Sequence, residues 1–218
     1  MVELKGARAL VPMPSASGII LAGGESRRMG GVNKALLEVG GQRIVERVAA
    51  ILGRIFEEVI VITNSPEEYD FLGLPMFTDL RPGYGSLGGL YTGLHRCGGA
   101  HGFIAACDMP FLVESVIRHL VGLAEGHDVI IPRLRGYLEP LHAMYGRGCI
   151  PCIEELMDAD DLVIANFFHK VDVLEVPEDD LALRDPHLRF ATNLNTPEDL
   201  RQARILASES GPTSLKPR

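Results

Sequence analysis

The stretch Leu21-Ala22-Gly23-Gly24-Glu25-Ser26-Arg27-Arg28-Met29-Gly30-Gly31-Val32-Asn33-Lys34 sets the organisation of this 218-residue chain. It follows the apolar run Gly18-Ile19-Ile20-Leu21, which is typical of a buried strand, and precedes a helix-period segment that starts near Ile44. A glycine-rich loop at the end of a strand exposes bare main-chain N–H groups to an anion. Two arginines and a lysine accompany those amides, so the stretch predicts a polyphosphate ligand.

The loop lacks the hydroxyl with which a P-loop holds magnesium. In the pattern G-x-x-x-x-G-K-S/T a Ser or Thr follows the lysine, whereas Ala35 follows Lys34 here. A carboxylate elsewhere must therefore hold the metal. Asp108 ends a predicted buried strand, and Mg²⁺ needs only one or two carboxylates besides phosphate oxygens and water. The alternative is that Asp108 merely caps the turn at Pro110.

Length and composition favour one α/β domain, because 218 residues with 46% hydrophobic content can bury one sizeable core. The formal charge of −8 argues against a nucleic-acid partner. No apolar run approaches a membrane span and no signal-peptide pattern opens the chain, so we expect a cytoplasmic protein without a membrane partner. Cys149 and Cys152 are interpreted as unremarkable cysteines rather than a redox pair or zinc site.

The pattern of alternating strands and helices predicts the fold class: α/β, with a single doubly wound, mostly parallel sheet and helices on both faces. Residues 1–16 are expected to be a flexible extension, 17–207 the folded domain, and 208–218 a disordered tail. Within the domain, residues from about 17 to 132 form the predicted nucleotide-binding half and those from about 133 to 207 the acceptor half.

Apolar periodicity also predicts the individual elements. Strands are expected at residues 18–21, 58–63, 76–78, 102–106, 128–132, 141–145 and 171–176. Helices are expected from about 44 to 56, and at 65–71, 87–97, 113–124, 149–157, 162–168 and 200–206. Ser65 and Thr196, each followed by proline and acidic residues, are the predicted N-caps of two of these helices.

Several polar residues follow the predicted strands, and in an open parallel sheet ligands bind beyond the carboxyl ends of the strands. Gly23, Asp79 and Asp108 all lie at such ends. Asn64 follows the second strand, and Asn193 and Asn195 lie just before the last helix. For these asparagines a role in caps and turns is an equal alternative.

Lys34 and Arg28 are long cations within one turn of the predicted phosphate loop. Transfer of a nucleotidyl group spreads negative charge over phosphate oxygens, and its catalysis depends mainly on positioning and charge neutralisation. These two cations could therefore be catalytic. Taken singly, each could equally be a solvated surface charge.

A literal G-x-G-x-x-G is formed by Gly83, Gly85 and Gly88, with Asp108 about twenty residues further on. This pattern could indicate a dinucleotide site of an NAD-dependent oxidoreductase. Its position after the third strand, and the more basic glycine loop on the first strand, argue against that interpretation.

The ordered motifs resemble those of the molybdenum cofactor guanylyltransferases, the MobA family, over residues from about 17 to 206. The opening stretch resembles L-A-G-G-x-S-x-R-M-G-x-x-x-K, and Cys107-Asp108-Met109-Pro110 resembles C-D-x-P. Further matches are to D-x-x-P-G-x-G-P-L-x-G-L from Asp79, E-P-L-x-A-x-Y from Glu139, and N-x-N-T-P-E-D-L from Asn193. The chain departs from the family at Ser86, which replaces a proline, and at Asn33, which replaces a frequent aspartate.

The resemblance implies a Rossmann-like nucleotidyltransferase fold and roles for individual residues. It implies catalytic roles for Arg28, Lys34 and Asp108, with Mg²⁺ held by Asp108. The asparagines Asn193 and Asn195 would face the acceptor or the metal. The residues that would bind the nucleotide are Leu21, Ala22, Gly23, Gly24, Lys34, Asn64, Asp79, Gly88 and Asp108.

The implied reaction joins GMP from GTP to molybdenum-molybdopterin and releases pyrophosphate. Molybdoenzyme chaperones or acceptor enzymes are the implied protein partners. A cytidylyl or sugar-nucleotide transferase of the same fold, an NAD-dependent oxidoreductase and a non-catalytic nucleotide-binding module are the alternatives.

Overall fold

The computed structural model describes residues 15–23 and 33–209. Gly24 and Arg28, two of the predicted site residues, lie outside the described residues, as do most of the predicted extension and tail. The first strand begins at Ala16 and the last helix ends at Glu209, so the folded region slightly exceeds the predicted bounds of 17 and 207. Within the described ranges, no helix is long and apolar enough to cross a membrane.

A mixed, mostly parallel sheet forms the centre of the molecule. The strands are β1 (Ala16–Leu21), β2 (Glu38–Val39), β3 (Gln42–Arg43), β4 (Val59–Ile62), β5 (Met76–Phe77), β6 (His101–Ala106), β7 (Val129–Leu134), β8 (Tyr137–Leu138), β9 (His142–Gly146) and β10 (Val173–Pro177). The sheet order is β10-β7-β9-β6-β1-β4-β5, with β8 paired to β7, while β2 and β3 form a separate hairpin. All pairs along this order are parallel except those of β9, which is antiparallel to both β6 and β7.

Helices cover both faces of the sheet, as predicted. They are α1 (Ile44–Leu52), α2 (Gly85–Arg96), α3 (Glu114–Gly122), α4 (Ile150–Asp158), α5 (Glu178–Ala182) and α6 (Pro197–Glu209). Neighbouring residues of β1 point to opposite faces. Ile20 therefore packs in the core beneath α1 and α3, whereas Ile19 packs in the core beneath α2 and α4.

Beyond β1 the chain runs outward through β4 to β5 and then returns to β6 on the other side of β1. The direction of winding therefore reverses between β1 and β6. In open α/β sheets this reversal opens a crevice at the carboxyl ends of the two strands. The loop after Leu21 and the turn that holds Asp108 both lie there.

Glycines allow α2 to lie directly on β1. A Cβ at Gly93 would stand 2.7 Å from Cγ2 of Ile19, and one at Gly89 would stand 3.1 Å from a methyl group of Leu21. A larger residue would therefore push the helix away from the strand. This close approach brings the N-terminus of α2 to the carboxyl end of β1.

The structure corrects three expectations about local elements. The predicted helix at 65–71 is two 3₁₀ helices, Pro66–Glu68 and Asp70–Leu72, and the Ser65 side chain makes no capping hydrogen bond. The predicted helix at 162–168 is the 3₁₀ helix Ile164–Lys170. By contrast, the start of α6 is confirmed, since the Asp199 N–H donates to Oγ1 of Thr196 at 3.2 Å.

His142 on β9 is a fully buried titratable side chain in the core. Its ring packs edge-on against Phe103, with ring centroids 5.0 Å apart, and lies 4.8 Å from the ring of Phe190. Within the described part of the chain, neither ring nitrogen has a hydrogen-bond partner. Because burial penalises the charged form, it lowers the pKa of His142 to about 3 from an ordinary 6.5.

We predict that His142 makes the protein acid-sensitive. Unfolded chains bind a proton at this residue near pH 6.5 but the folded protein only near pH 3, so stability is complete above pH 6.5 and falls as the pH falls towards 3. The loss between pH 7 and pH 5 should be about 2 kcal/mol. His142→Leu should remove that component of the slope, measured by urea unfolding at several pH values.

The control for this experiment is His169→Gln, because His169 is exposed. This variant should keep the wild-type pH dependence. An unchanged slope in His142→Leu would show that protonation of His142 does not limit acid stability.

Candidate active site

A cavity of about 800 Å³ opens at the carboxyl ends of β1, β4, β5 and β6. It brings together five residues that the sequence singled out, namely Leu21, Gly23, Asn64, Asp79 and Asp108. Its other described lining residues are Ile62, Thr63, Gly83, Gly85, Ser86, Gly89, Ala106, Cys107, Leu141 and Leu162. The cavity therefore occupies the crevice that the winding of the sheet predicts.

Three of the predicted nucleotide-binding residues that the structure describes are not among the lining residues, namely Ala22, Lys34 and Gly88. Ala22 is buried, and its N–H donates to the carbonyl oxygen of Ile62 at 2.9 Å. Gly88 is buried in α2, where a Cβ would stand 3.2 Å from both the carbonyl oxygen of Arg81 and Cβ of Tyr84. Ala22 and Gly88 are nevertheless chain neighbours of lining residues, Leu21 and Gly23 in the first case and Gly89 in the second.

Main-chain hydrogen bonds hold the base of the glycine loop. Besides the bond from Ala22 to β4, the Cys107 N–H donates to the carbonyl oxygen of Leu21 at 3.2 Å. The end of β1 is thus tied to the strands on both sides of it. Gly23, which comes next, is exposed and has no atom within 4 Å of the place where a Cβ would be.

Asp108, which lines the cavity, lies near Lys34 and the asparagine turn before α6. The Leu194 N–H donates to the carbonyl oxygen of Asp108 at 3.0 Å, and Nζ of Lys34 donates to Oδ1 of Asn195 at 3.3 Å. Burial raises the pKa of the Asp108 carboxyl, and the charge of Lys34 opposes that rise. Asp199, which accepts from the Asn195 N–H, lies close enough for Lys34 to help lower its pKa.

Lys34 begins a 3₁₀ helix, Lys34–Leu36, that Asn33 holds in place. Oδ1 of Asn33 accepts from the Ala35 N–H at 3.1 Å, while its Nδ2 donates to Glu68 at 2.6 Å and to the Tyr69 hydroxyl at 2.9 Å. An aspartate here could not donate, and it would face the Glu68 carboxylate with like charge. Asparagine at position 33 is therefore compatible with Glu68 and Tyr69, whereas aspartate would not be.

Asn64 and Asp79 hold each other at the ends of β4 and β5. Nδ2 of Asn64 donates to Oδ2 of Asp79 at 2.8 Å, and the Asp79 N–H donates to Oδ1 of Asn64 at 3.0 Å. The second carboxylate oxygen, Oδ1, accepts no hydrogen bond from the part of the chain that the structure describes. The pair thus presents a fixed acceptor to the cavity.

The turn between β5 and α2 presents amides to the same space. Gly83 and Gly85 have φ values of 95° and 53°, a region that other residues rarely adopt, so glycine permits this turn although Ser86 replaces the usual proline. The first turn of α2 contains no acidic residue, and its N-cap, Tyr84, makes no side-chain capping bond. An uncapped helix N-terminus that lines a cavity favours an anion.

Two leucines from the part of the chain after residue 133 also line the cavity. Leu141 follows β8, and Leu162 lies between α4 and the 3₁₀ helix Ile164–Lys170. Leu162 is 47% exposed although it is a large apolar residue. Leu141 belongs to the motif from Glu139, but no signal in the sequence indicated Leu162, because it lies in an irregular connection.

The thiols near the site are not activated. Burial, reinforced by the neighbouring Asp108 charge, raises the pKa of Cys107 to about 12. Burial likewise raises the pKa of Cys149 to about 12, so this residue lacks the reactive thiolate that a redox pair needs. The arrangement can therefore bind and neutralise anions but offers no cysteine nucleophile.

Comparison with known proteins supports the family resemblance. Residues 18–171 match the MobA-like NTP transferase domain. A probable molybdenum cofactor guanylyltransferase of Pelotomaculum thermopropionicum is 43% identical over 91% of this chain and 96% of its own length. A molybdenum cofactor guanylyltransferase of Desulfosudis oleivorans is 38% identical over 88% of this chain and 95% of its own.

A solved structure agrees with this assignment. The molybdopterin-guanine dinucleotide biosynthesis protein A of Archaeoglobus fulgidus superposes with a TM-score of 0.78 at 27% identity. The superposition covers 88% of this chain and 99% of that protein. The predicted fold class is confirmed, including the helices on both faces of a mostly parallel sheet.

We predict that Cys107→Ser leaves the affinity for nucleoside triphosphate within about twofold of wild type, because a neutral thiol neither attacks phosphorus nor binds an anion. Calorimetry measures this affinity. In the wild type, iodoacetamide should alkylate Cys107 far more slowly than a free thiol at pH 8, as peptide mass spectrometry would show. Rapid alkylation, or a tenfold loss of affinity in the variant, would contradict the prediction.

Proposed function

Because the chain belongs to the MobA-like NTP transferase family, we propose that it transfers GMP from GTP to the terminal phosphate of molybdenum-molybdopterin. The products are the guanine dinucleotide form of the cofactor and pyrophosphate. The observation that carries the proposal is the identity of 43% to a probable molybdenum cofactor guanylyltransferase over nine tenths of both chains. The cavity at the ends of β1 and β6 is the proposed site of the reaction.

The triphosphate lies, in this proposal, between the glycine loop and the N-terminus of α2. The bare amide of Gly23 and the uncapped first turn of α2 supply hydrogen-bond donors and a partial positive charge. Lys34 supplies a full charge at the end nearer Asp108. The roles proposed for Gly24 and Arg28 rest on the motif alone.

The donor set at Asp108 fits magnesium shared with the nucleotide. No group of three or more His, Cys, Asp or Glu residues suitable for a metal exists in residues 15–23 and 33–209. A single half-buried carboxylate beside a polyphosphate cavity is instead what Mg²⁺ uses when phosphates and water complete its shell. Bound there, the ion would neutralise phosphate oxygens, and Asn195 lies next to Asp108 on the same side of the site.

The reaction depends mainly on where positive charges are placed, because its nucleophile is already an anionic phosphate. An oxygen of that phosphate forms a bond to the α-phosphorus of GTP, and the bond between the α-phosphorus and the bridging oxygen breaks to release pyrophosphate. Little general base is needed. Lys34 counters the charge that develops on the phosphate oxygens, and Asn195 orients the Lys34 ammonium group through their hydrogen bond.

Asp79 is the proposed reader of the base. Guanine presents N1–H and N2–H₂ donors on one edge, and the free Oδ1 of Asp79 can accept from them. The two hydrogen bonds to Asn64 keep the carboxylate in one orientation. Cytosine and adenine lack that pair of donors, so a fixed carboxylate favours guanine over both.

The apolar wall formed by Leu141 and Leu162 is the proposed surface for the acceptor. An exposed apolar side chain at the mouth of a cavity gains contact area when a flat ring covers it. Both leucines belong to the predicted acceptor half of the chain, and both line the cavity.

Calorimetry with GTP, CTP, ATP and NAD in the presence of magnesium tests the proposed specificity. GTP should bind most tightly, and pyrophosphate should be released when GTP and molybdenum-molybdopterin are both present. Preferred binding of CTP would favour a cytidylyltransferase. NAD binding that persists in Lys34→Ala would favour an oxidoreductase, and GTP binding without pyrophosphate release would indicate a binding module.

Two variants should separate the roles of the metal ligand and the cation. Asp108→Asn should abolish magnesium-dependent turnover, while Lys34→Ala should weaken GTP binding by about 1.5–3 kcal/mol, as expected for a charge-assisted hydrogen bond. Asp179→Asn and Lys170→Ala are the controls, because both residues are exposed and neither lines the cavity. Wild-type turnover in Asp108→Asn, or unchanged affinity in Lys34→Ala, would remove that residue from the proposed site.

A further inference from the structure

Arg47 on α1 is a half-buried cation that the sequence motifs do not include. Its Nε donates to the carbonyl oxygen of Pro110 at 3.0 Å, and its Nη1 donates to the carbonyl oxygen of Val39 at 3.4 Å. The guanidinium group also lies over the ring of Phe111, 5.8 Å from the ring centroid. Burial lowers the pKa of Arg47, and no carboxylate in the described ranges offsets that effect.

The two carbonyl groups belong to the two segments that carry the proposed charges of the site. Pro110 lies two residues after Asp108. Val39, on β2, follows the 3₁₀ helix that Lys34 begins, and β2 joins that helix to α1 through the hairpin with β3. Arg47 therefore links the segment of the carboxylate to the segment of the cation.

Keeping a half-buried guanidinium without a counter-ion is unfavourable unless hydrogen bonds compensate for lost water. The carbonyl groups provide that compensation, and only a forked, planar group donates in two fixed directions at once. Lysine could reach one carbonyl but could not hold both in a fixed relative position. These contacts indicate that Arg47 links the carbonyl groups of Pro110 and Val39 rather than serving as a solvated surface charge.

We propose that Arg47 is a positioning residue that holds the Asp108 turn and the Lys34 segment in the relation needed to grip one magnesium–nucleotide complex. This inference rests on the proposed function, because it assigns both segments to one ligand. It makes Arg47 important for how well magnesium supports nucleotide binding and turnover. Affinity for the nucleotide without magnesium should depend on it little.

Arg204 provides a matched control. From α6, its Nε donates to the carbonyl oxygen of Glu38 at 3.1 Å, so it tethers the same hairpin as Arg47 does. It makes no hydrogen bond to the Asp108 turn, and it is exposed. Removing it tests the effect of loosening the hairpin alone.

The experiment compares wild type, Arg47→Gln, Arg47→Lys and Arg204→Gln. Calorimetry gives the GTP affinity with and without magnesium and the magnesium concentration for half-maximal binding; pyrophosphate release gives kcat and KM. In both Arg47 variants we expect half-maximal binding to need severalfold more magnesium, and kcat to fall between about tenfold and about a hundredfold. The magnesium-free affinity should stay near wild type, and Arg204→Gln should resemble wild type in every readout except thermal stability.

A purely structural role would lower the melting temperature of the Arg47 variants without moving the magnesium concentration for half-maximal binding, and that result would overturn the inference. An equal shift in Arg204→Gln would also overturn it. Arg47→Lys keeps the positive charge, so the magnesium dependence can still be measured in this variant if Arg47→Gln does not fold. If wild type binds GTP with magnesium but transfers no GMP, the proposed function fails, while the magnesium dependence of binding still decides the role of Arg47.

Discussion

The hydrogen bonds that hold the end of β1 between β4 and β6 are the constraint on which the rest of the site depends. Ala22 donates to Ile62 on one side, and Leu21 accepts from Cys107 on the other. These bonds fix where the strand stops and so fix the position of Gly23, the first glycine of the loop. The Cys107 bond also fixes the position of Asp108, the next residue, which lines the same cavity as Gly23. The register of one strand thus places the start of the glycine loop and a carboxylate at one cavity.

Burial on both faces of β1 fixes the register of this strand. Ile19 and Ile20 are fully buried in opposite cores, so a slip of one residue would exchange the two faces and misplace every contact of β1. Gly93 and Gly89 add a second condition, since α2 reaches the strand only where side chains are missing. Packing on the α2 face therefore decides how close the helix N-terminus comes to the cavity.

Much of this could be predicted from the sequence, because the deciding signals are local. The apolar runs of β1, β4 and β6 and the proline-acid start of α6 identified their elements. The antiparallel direction of β9 could not be predicted, since the same residues would suit a parallel strand and its neighbours are chosen by tertiary packing. The β2–β3 hairpin did have a signal, the Gly40-Gly41 turn with φ values of 63° and 76°. No local sequence pattern indicated Arg47 or Leu162, because the residues around each of them in the structure are distant in the sequence.

The net charge of −8 explains why the site is built from local devices. A protein that repels polyanions at long range must attract them at short range, through amides, a helix N-terminus and a few placed cations. Among the described residues, Lys34 lies close enough for its charge to act on Asp108, and it already donates to Asn195. In the proposed reaction a triphosphate and an acceptor phosphate together carry more negative charge than these groups can neutralise. The partial burial of the Asp108 carboxylate then has a chemical reason. A carboxylate whose charge is penalised by burial gains most from a divalent cation, and the magnesium proposed there would bring positive charge that the described side chains around Asp108 do not fully supply.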